Sequence, residues 1–156
     1  GGDTLGSNLI TGNDSTFSGT SSNWVNFEEN STTAVLSYDG EKLIVTIDGH
    51  TSDDYGGAKL EVTSSITAGK TYQVQWDMWR GTFPDVDNWR VQLGNTTVVV
   101  ASSIPTTRTT YTVYITTTNT NDLFIYNSDC DPTDDGTFFI DNVSLKLVNG
   151  NTGTLS

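Results

Sequence analysis

The sequence predicts an all-β protein, an antiparallel β-sandwich of the jelly-roll type, on three observations. Threonine, valine, isoleucine, tyrosine and glycine are abundant, whereas leucine, alanine, glutamate and lysine, which fill soluble helices, are scarce. No stretch shows a sustained apolar period of about 3.6 residues. Many short runs with strand-like composition are instead separated by clusters of turn-forming residues, which is typical of sandwiches and barrels.

The first predicted strands form a hairpin. The stretch "AVLSYDGEKLIVTIDG" places an Asp-Gly turn at Asp39 and Gly40 between two strand-like runs. In the second run Leu43, Val45 and Ile47 alternate with other residues and therefore share one face. Further strands are predicted, in chain order, over residues 58–63, 71–79, 89–93, 96–101, 109–116, 122–127 and 137–148.

The length and the two ends predict one domain. A chain of 156 residues can bury one substantial core. Residues 1–7 and 149–156 are rich in glycine, serine, threonine and asparagine, so both are predicted linkers around a domain over residues 8–148. We expect a monomeric module within a larger protein.

The charge balance argues against two classes of partner. The formal net charge is -12, and both nucleic acids and anionic membrane surfaces attract lysine and arginine rather than carboxylates. No apolar run approaches the roughly 20 residues that span a bilayer. The sequence therefore predicts neither a nucleic-acid partner nor a membrane partner.

Residues that would carry catalysis are sparse. The only histidine, His50, lies in a loop, and no Gly-x-Ser-x-Gly motif accompanies it. Paired acids at 53–54 and 134–135 lie in glycine-rich loops, and sequence neighbours do not establish two carboxylates across a cleft. Cys130 is the single cysteine, which excludes an internal disulfide and a cysteine-rich zinc site. The prediction is that the chain is not an enzyme.

The stretch "FFIDNVSLKLV" contains a break in strand alternation. Phe138 and Ile140 share one parity, whereas Val143 and Leu145 share the other. A strand whose core-facing residues change parity must contain a bulge or a break, here near Asp141. The carboxylate beside the core then needs a partner: calcium would supply one, and the alternative is a hydrogen-bonded turn.

Three segments in order resemble one known family. They are "NLITGNDSTFSG" followed by an Asn-Trp pair, then "TAGKTYQVQWDM", then "FFIDNVSL". Together they resemble the carbohydrate-binding modules of the family 4, 9, 16 and 22 group, over nearly the whole chain. The resemblance implies a jelly-roll β-sandwich, a structural calcium ion and non-catalytic binding of a polysaccharide chain in a cleft on one sheet.

The same resemblance implies calcium ligands. The family's last-strand acid, which ligates calcium, corresponds to Asp141. Ser18 stands where the family usually has a second ligating glutamate, and Asp14 is the candidate replacement.

Strand parity sorts the aromatic and polar side chains into core and surface. In the strand predicted from Thr71, Trp76 shares the core parity, and Trp89 shares it in the next strand. Sugars stack their C–H patches on aromatic rings and exchange hydrogen bonds with amides, acids and arginine. The outward residues suited to this role are Trp79, Gln75, Asp77, Arg90, Gln92 and Tyr126.

We therefore expect a non-catalytic carbohydrate-binding module for a β-glucan or xylan, in an extracellular or virion-surface protein. The net charge favours a neutral glycan over an anionic one. One alternative is a structural or adhesive sandwich module of a cell-surface or viral tail protein, without cleft specificity. The other is a small glycoside hydrolase or lyase.

Overall fold

A computed structural model describes residues 4–29, 31–50 and 54–149. It contains eleven strands and one helical turn. In chain order these are β1 (Thr4–Leu5), α1 (Asn13–Thr16), β2 (Val25–Glu28), β3 (Thr33–Tyr38), β4 (Leu43–Asp48), β5 (Gly56–Leu60), β6 (Thr71–Arg80), β7 (Trp89–Leu93), β8 (Thr96–Ala101), β9 (Thr109–Thr116), β10 (Leu123–Asn127) and β11 (Asp135–Asn149).

The strands form two antiparallel sheets. The first sheet has the order β3-β4-β11-β6-β9, with β1 paired to the end of β11. The second sheet has the order β2-β5-β10-β7-β8. From β4 to β7, and again from β8 to β11, each connection carries the chain from one sheet to the other. This confirms the predicted all-β class and the jelly-roll sandwich.

The inward faces of the two sheets share one apolar core. Its largest fully buried side chains include Trp76, Trp89, Phe83 and Phe138. The Trp89 ring lies edge-on to both phenylalanine rings, with centroid distances of 5.6 Å to Phe83 and 5.0 Å to Phe138. These contacts confirm the prediction that Trp76 and Trp89 are core residues, since each belongs to the inward set of its strand.

The predicted strands correspond closely to those observed. The hairpin of β3 and β4 is present, and Gly40 adopts the left-handed conformation with φ of 84° while the Asp39 carboxylate accepts hydrogen bonds from two following amides. Three elements were not predicted: β1, α1 and β2. Each is short, so its sequence carries little periodicity.

The N-terminal boundary of the domain needs correction. Thr4 and Leu5 lie in the predicted linker, yet they pair with Asn149 and Val148 of β11. The amide of Gly6 then donates to the Leu147 carbonyl at 2.8 Å. Backbone pairing to a long neighbouring strand therefore orders a segment whose composition predicts a linker. Residues 1–3 and 150–156 of the two predicted linkers lie outside the described residues.

The predicted break in β11 is confirmed. The pairing of β11 with β6 shifts register between Asp141 and Ser144, and Asn142 adopts a φ of 50°. Ile140 and Val143 are consequently both fully buried, although they differ in parity. The helical turn covers this bulge, because the Ser15 hydroxyl donates to the Val143 carbonyl at 2.7 Å.

No helix among the described residues is long and apolar enough to cross a bilayer.

The second sheet allows a test of the core. Replacing the fully buried Ile125 by alanine should lower the free energy of unfolding by about 2–5 kcal/mol, because it leaves a cavity between the sheets. Val99, in the same sheet, is 58% exposed, so Val99→Ala should change the free energy of unfolding by only about 0.5 kcal/mol. Urea unfolding of both variants measures the difference, and equal losses would contradict this placement of the core.

Candidate functional site

The six side chains predicted to bind a glycan divide between two opposite surfaces. Trp79, Gln75 and Asp77 lie on β6, on the outward face of the first sheet. Arg90 and Gln92 on β7 lie beside Tyr126 on β10, on the outward face of the second sheet. The two groups cannot contact one sugar chain segment together, because the whole sandwich separates them.

We call the first surface the Trp79 face; it consists of the outward residues around Trp79. The Trp79 ring packs against Phe139 with centroids 5.3 Å apart. The guanidinium carbon of Arg108 lies 4.3 Å from the centroid of the indole ring. This cation–π contact covers one side of the ring, so a sugar could not stack on that side.

Arg108 is held over Trp79 by two carboxylates. Its Nη1 donates to Asp77 Oδ2 at 2.9 Å and to Asp141 Oδ2 at 2.8 Å. The bulge in β11 brings Asp141 to this position, and it also turns the Asn142 side-chain amide toward Asp77 Oδ2, at 3.0 Å. Thr110 donates to the other Asp77 oxygen at 2.6 Å. The hydrogen-bonding capacity of Asp77 is therefore used within the chain.

The electrostatics of this cluster favour the charged forms of Asp77 and Arg108. Burial alone would raise the pKa of Asp77, but hydrogen bonds from Thr110, Asn142 and Arg108 outweigh it and hold the pKa below the usual range. Burial would likewise lower the pKa of Arg108, but its hydrogen bonds to Asp141 and Asp77 raise it. Arg108 therefore joins β6 and β11 as a permanent cation between two carboxylates.

The two predicted calcium ligands already have partners from the chain. Asp141 accepts from Arg108 and from the Asn142 amide, at 2.8 Å each. Asp14 accepts from the Asn23 amide and side chain at 2.6 and 2.9 Å. The described part of the chain contains no group of three or more histidine, cysteine, aspartate or glutamate residues that could hold a metal ion. The donor set at these positions does not fit calcium, and Arg108 supplies the positive charge beside Asp141.

The second surface, which we call the Tyr126 face, consists of the ten outward residues of β2, β5, β10, β7 and β8. They form two rows across the sheet, each following the strand pairing. One row is Phe27, Gly57, Tyr126, Arg90 and Val99, and the other is Val25, Lys59, Phe124, Gln92 and Thr97. None of the ten carries a carboxylate.

Aromatic rings cluster at the centre of the Tyr126 face. Phe27 packs against Tyr126 and Phe124 with centroids 5.1 and 4.9 Å away, and Tyr55, just before β5, lies 5.2 Å from Tyr126. Gly57 makes this approach possible, because a β-carbon there would lie 2.6 Å from the Tyr126 β-carbon. Phe27 and Tyr55 remain half-buried, so they form the accessible layer of the cluster.

Polar groups border these rings. The Gln92 amide donates to the Gly94 carbonyl at 2.9 Å and accepts from Thr97 at 3.2 Å, which fixes its orientation. The Arg90 Nε atom is buried and has no hydrogen-bond partner in the described structure. Burial raises the pKa of the Tyr126 hydroxyl, and a hydrogen bond with Arg90 offsets part of that effect. The hydroxyl is thus neutral, and because Tyr126 is only 2% exposed, its hydrogen bonds are made within the chain.

Sequence reasoning missed three members of this cluster. Phe27 lies on the unpredicted strand β2, and Tyr55 lies in a loop, so no alternation pointed to either. Phe124 shares its parity with Tyr126 in β10, and that signal was available. The contacts among the rings depend on pairing between strands far apart in sequence.

A separate groove lies at one edge of the sandwich, between β2 and β3. It has a volume of about 460 Å³ and is lined mainly by apolar side chains, including Val35 and Trp24. The Trp24 Nε1 donates to the Asp14 carbonyl at 2.8 Å, and the Tyr38 hydroxyl bonds Ser22, also at 2.8 Å. The polar atoms of Trp24 and Tyr38 are thus engaged within the chain, and Asn26 is the other polar side chain that lines the groove.

The fold is shared with solved carbohydrate-binding modules. The chain is similar to the CBM22-1 xylan-binding domain of Paenibacillus barcinonensis Xyn10C, with a TM-score of 0.60 and 13% identity, covering 87% of this chain and 93% of that one. It is also similar to the family 11 module from Clostridium thermocellum in complex with a β-1,3-1,4-mixed-linked tetrasaccharide, with a TM-score of 0.56 and 12% identity over 94% and 95% of the two chains.

A third similar structure holds the CBM22-1 and GH10 modules of Clostridium thermocellum xylanase 10B, complexed with xylohexaose. The TM-score is 0.58 and the identity 18%; 88% of this chain is covered, but only 28% of that longer one. No protein-family model matches the sequence, and no curated protein does. At these identities the similarity establishes the fold.

The Arg108 cluster can be tested by removing its charge. Arg108→Gln should lower the free energy of unfolding by about 1–3 kcal/mol, because it leaves two nearly buried carboxylates facing each other. Lys146→Gln makes the same change in net charge, and no ion pair of Lys146 occurs among the described residues, so it should have little effect. Chemical unfolding compares the two, and an Arg108→Gln protein as stable as Lys146→Gln would contradict the proposed role.

Calcium can be tested independently. Because the carboxylates of Asp141 and Asp14 are engaged by the chain, adding a chelator and then excess calcium should leave the midpoint of thermal unfolding unchanged. Differential scanning calorimetry provides the measurement. A midpoint that falls with chelator and recovers with calcium would instead support the calcium site implied by the family resemblance.

Proposed function

We propose that the chain is a non-catalytic module that binds a polysaccharide of the β-glucan or xylan type across the Tyr126 face. The observation that carries the proposal is the cluster of four rings on an outward sheet face, formed by Phe27, Tyr55, Phe124 and Tyr126. An aromatic cluster outside the core has no role in joining the two sheets. It provides the apolar surface that a pyranose ring requires for stacking.

The surroundings of the rings supply the polar half of such a site. Sugar hydroxyls need donors and acceptors at the edge of the stacking surface. Gln92 and Arg90 stand directly beside Phe124 and Tyr126 on the neighbouring strand. In our proposal, Phe27 and Tyr55 carry the stacking, while Arg90 and Gln92 orient the sugar chain. Tyr126, predicted as a contact residue, is only 2% exposed and instead supports the rings of Phe27 and Tyr55.

The Trp79 face is less suited to the same role. Arg108 covers one side of the indole, and Asp77 accepts hydrogen bonds from three side chains. Gln75 also donates to Thr112, at 3.0 Å. A ligand there would have to displace contacts that hold β6 to its neighbours, so we assign this face a structural role.

Absence of catalysis is part of the proposal. Glycoside hydrolysis commonly uses two carboxylates on either side of the bond that is cleaved. The ten outward strand positions of the Tyr126 face carry none. Solved proteins with this fold include a xylan-binding domain and a module in complex with a β-1,3-1,4-mixed-linked tetrasaccharide, which supports binding rather than hydrolysis. We place the module, as a monomer, in a larger extracellular or virion-surface protein.

Affinity electrophoresis in gels that contain soluble xylan, mixed-linkage glucan or mannan tests the proposal. The wild-type chain should be retarded by at least one of them. Phe27→Ala and Tyr55→Ala should each weaken binding about tenfold, because each removes a stacking ring. Release of reducing ends from the same polysaccharides should stay at background.

Two substitutions on the opposite sheet are the controls. Tyr114, which is 60% exposed, can be replaced by alanine with no expected loss of binding. Trp79→Ala should lower stability but retain binding, provided that the variant is folded at the assay temperature. Absence of retention on every polysaccharide would contradict the function and favour a structural or adhesive module. If only Trp79→Ala loses retention in the gel, the binding site lies on the Trp79 face and not on the Tyr126 face.

A further inference from the structure

The Tyr126 face differs in charge from the rest of the protein. The chain has 19 acidic residues and only 7 lysines and arginines, with a net charge of -12. Two of those cations, Lys59 and Arg90, nevertheless lie among the ten outward strand residues of this face, and no carboxylate does. The ten outward strand residues of this face therefore carry a formal charge of +2, opposite in sign to the net charge of the chain.

Neither cation is paired with a carboxylate of the described chain. Within residues 4–29, 31–50 and 54–149, ion pairs form at Lys42, Arg80 and Arg108, but at neither Lys59 nor Arg90. The Arg90 Nε atom is shielded from water and has no hydrogen-bond partner there. A bound ligand does not reach this shielded atom, but a carboxylate at the terminal nitrogens would supply the anionic partner that the guanidinium lacks in the described chain.

The two cations lie on either side of the central rings. Lys59 is directly opposite Phe124 in the pairing of β5 with β10, and Arg90 is directly opposite Tyr126 in the pairing of β10 with β7. Such neighbours have β-carbons about 4.5–5.5 Å apart. If a sugar ring stacks over the central aromatic cluster, its carboxylate lies within reach of the long side chain of Lys59 or of Arg90.

Among the described residues, several acids border this face at its strand ends. Glu28, the last residue of β2, accepts from the Ala34 amide at 2.7 Å on the neighbouring strand β3. Glu29 follows β2, Glu61 follows β5 and Asp122 precedes β10. The Glu61 carboxylate is turned to its own turn, where it accepts from the Thr63 amide at 2.9 Å and from the Thr63 hydroxyl. Charges are screened over about 10 Å at 0.1 M salt, and Lys59 and Arg90 are the charged side chains directly opposite Phe124 and Tyr126 in the strand pairing.

We propose that the glycan bound by the Tyr126 face carries carboxylates, as uronic acid residues, with Arg90 as the principal contact and Lys59 as the second. This inference rests on the proposed function and narrows it to acidic polysaccharides. It replaces the neutral glycan expected from net charge, because the net charge averages over a surface that the ligand does not contact. Arginine suits this role, since its planar fork binds a carboxylate through two hydrogen bonds.

The test compares one polysaccharide in two chemical forms. Isothermal titration with glucuronoxylan and with the same material after reduction of its carboxyl groups holds the backbone constant. We expect reduction to weaken binding about tenfold or more. A polyuronate, titrated alongside, distinguishes carboxylates on branches from carboxylates on every residue of the main chain. Preference for either acidic form over the reduced glucuronoxylan supports the inference.

Charge variants identify the residue responsible. Arg90→Gln should lose most of the preference for the acidic form and Lys59→Gln a smaller part, and Arg90→Lys should lose less than Arg90→Gln because it retains the charge. Lys146→Gln, on the first sheet, is the control with the same change in net charge and should keep the full preference. Each variant's unfolding midpoint verifies that it is folded.

The two proposals fail in different ways. Equal affinity of the wild-type chain for the acidic and reduced forms overturns the carboxylate inference and leaves polysaccharide binding intact. Absence of binding to both forms, to the polyuronate and to the neutral glucans and mannan overturns both. A preference that persists in Arg90→Gln but vanishes in Lys59→Gln overturns the assignment to Arg90.

Discussion

The packing of two sheets over one apolar core is the constraint on which the rest of the molecule depends. Each strand has only two faces, and the core takes one of them along almost every strand. Trp76, Trp89 and Phe138 fill the space between the sheets. Any site must then be built from outward residues, and strand pairing decides which of those become neighbours. In this fold the outward aromatic residues fall on two separate surfaces with different chemistry.

The same kind of aromatic side chain has different roles on the two surfaces. Trp79 lies beneath Arg108, whose guanidinium is tied to Asp77 and to Asp141 at the bulge of β11. That arrangement stabilises the first sheet and uses up the groups that would recognise a sugar. On the second sheet the rings around Tyr126 pack on each other above a glycine, and the nearby Arg90 lacks a carboxylate partner. Among the described residues, two buried polar side-chain atoms lack a hydrogen-bond partner: Arg90 Nε on this surface and Trp76 Nε1 in the core.

Much of the fold could be predicted from the sequence, because the alternation of core and surface residues along a strand is a local property. It predicted most strands, placed Trp76 and Trp89 in the core and located the bulge at Asp141. Alternation cannot assign a strand to a sheet, since pairing joins residues that are distant along the chain. For this reason Trp79 and Tyr126 were grouped together although they lie on opposite faces. Phe27 was missed because β2 is too short to show a pattern.

The prediction of a calcium ligand at Asp141 was limited in the same way, because local alternation carries no information on contacts between residues distant in sequence. Parity correctly indicated a carboxylate beside the core that needs a partner. The identity of that partner, however, depends on Arg108, which reaches Asp141 from the residue before β9. No local pattern connects the two. Family resemblance implied calcium at this place, whereas the described side chains satisfy the carboxylate with a guanidinium.

The most direct test of the central claim is to map the bound polysaccharide on the protein. Amide chemical shifts of the labelled chain can be followed by NMR during titration with xylan- and glucan-derived oligosaccharides, both neutral and uronate-bearing. We predict that the largest changes occur in β5, β7 and β10, around Gly57, Arg90 and Tyr126, while the strands around Trp79 stay unchanged. Changes confined to the Trp79 face or to the groove between β2 and β3 would contradict this account.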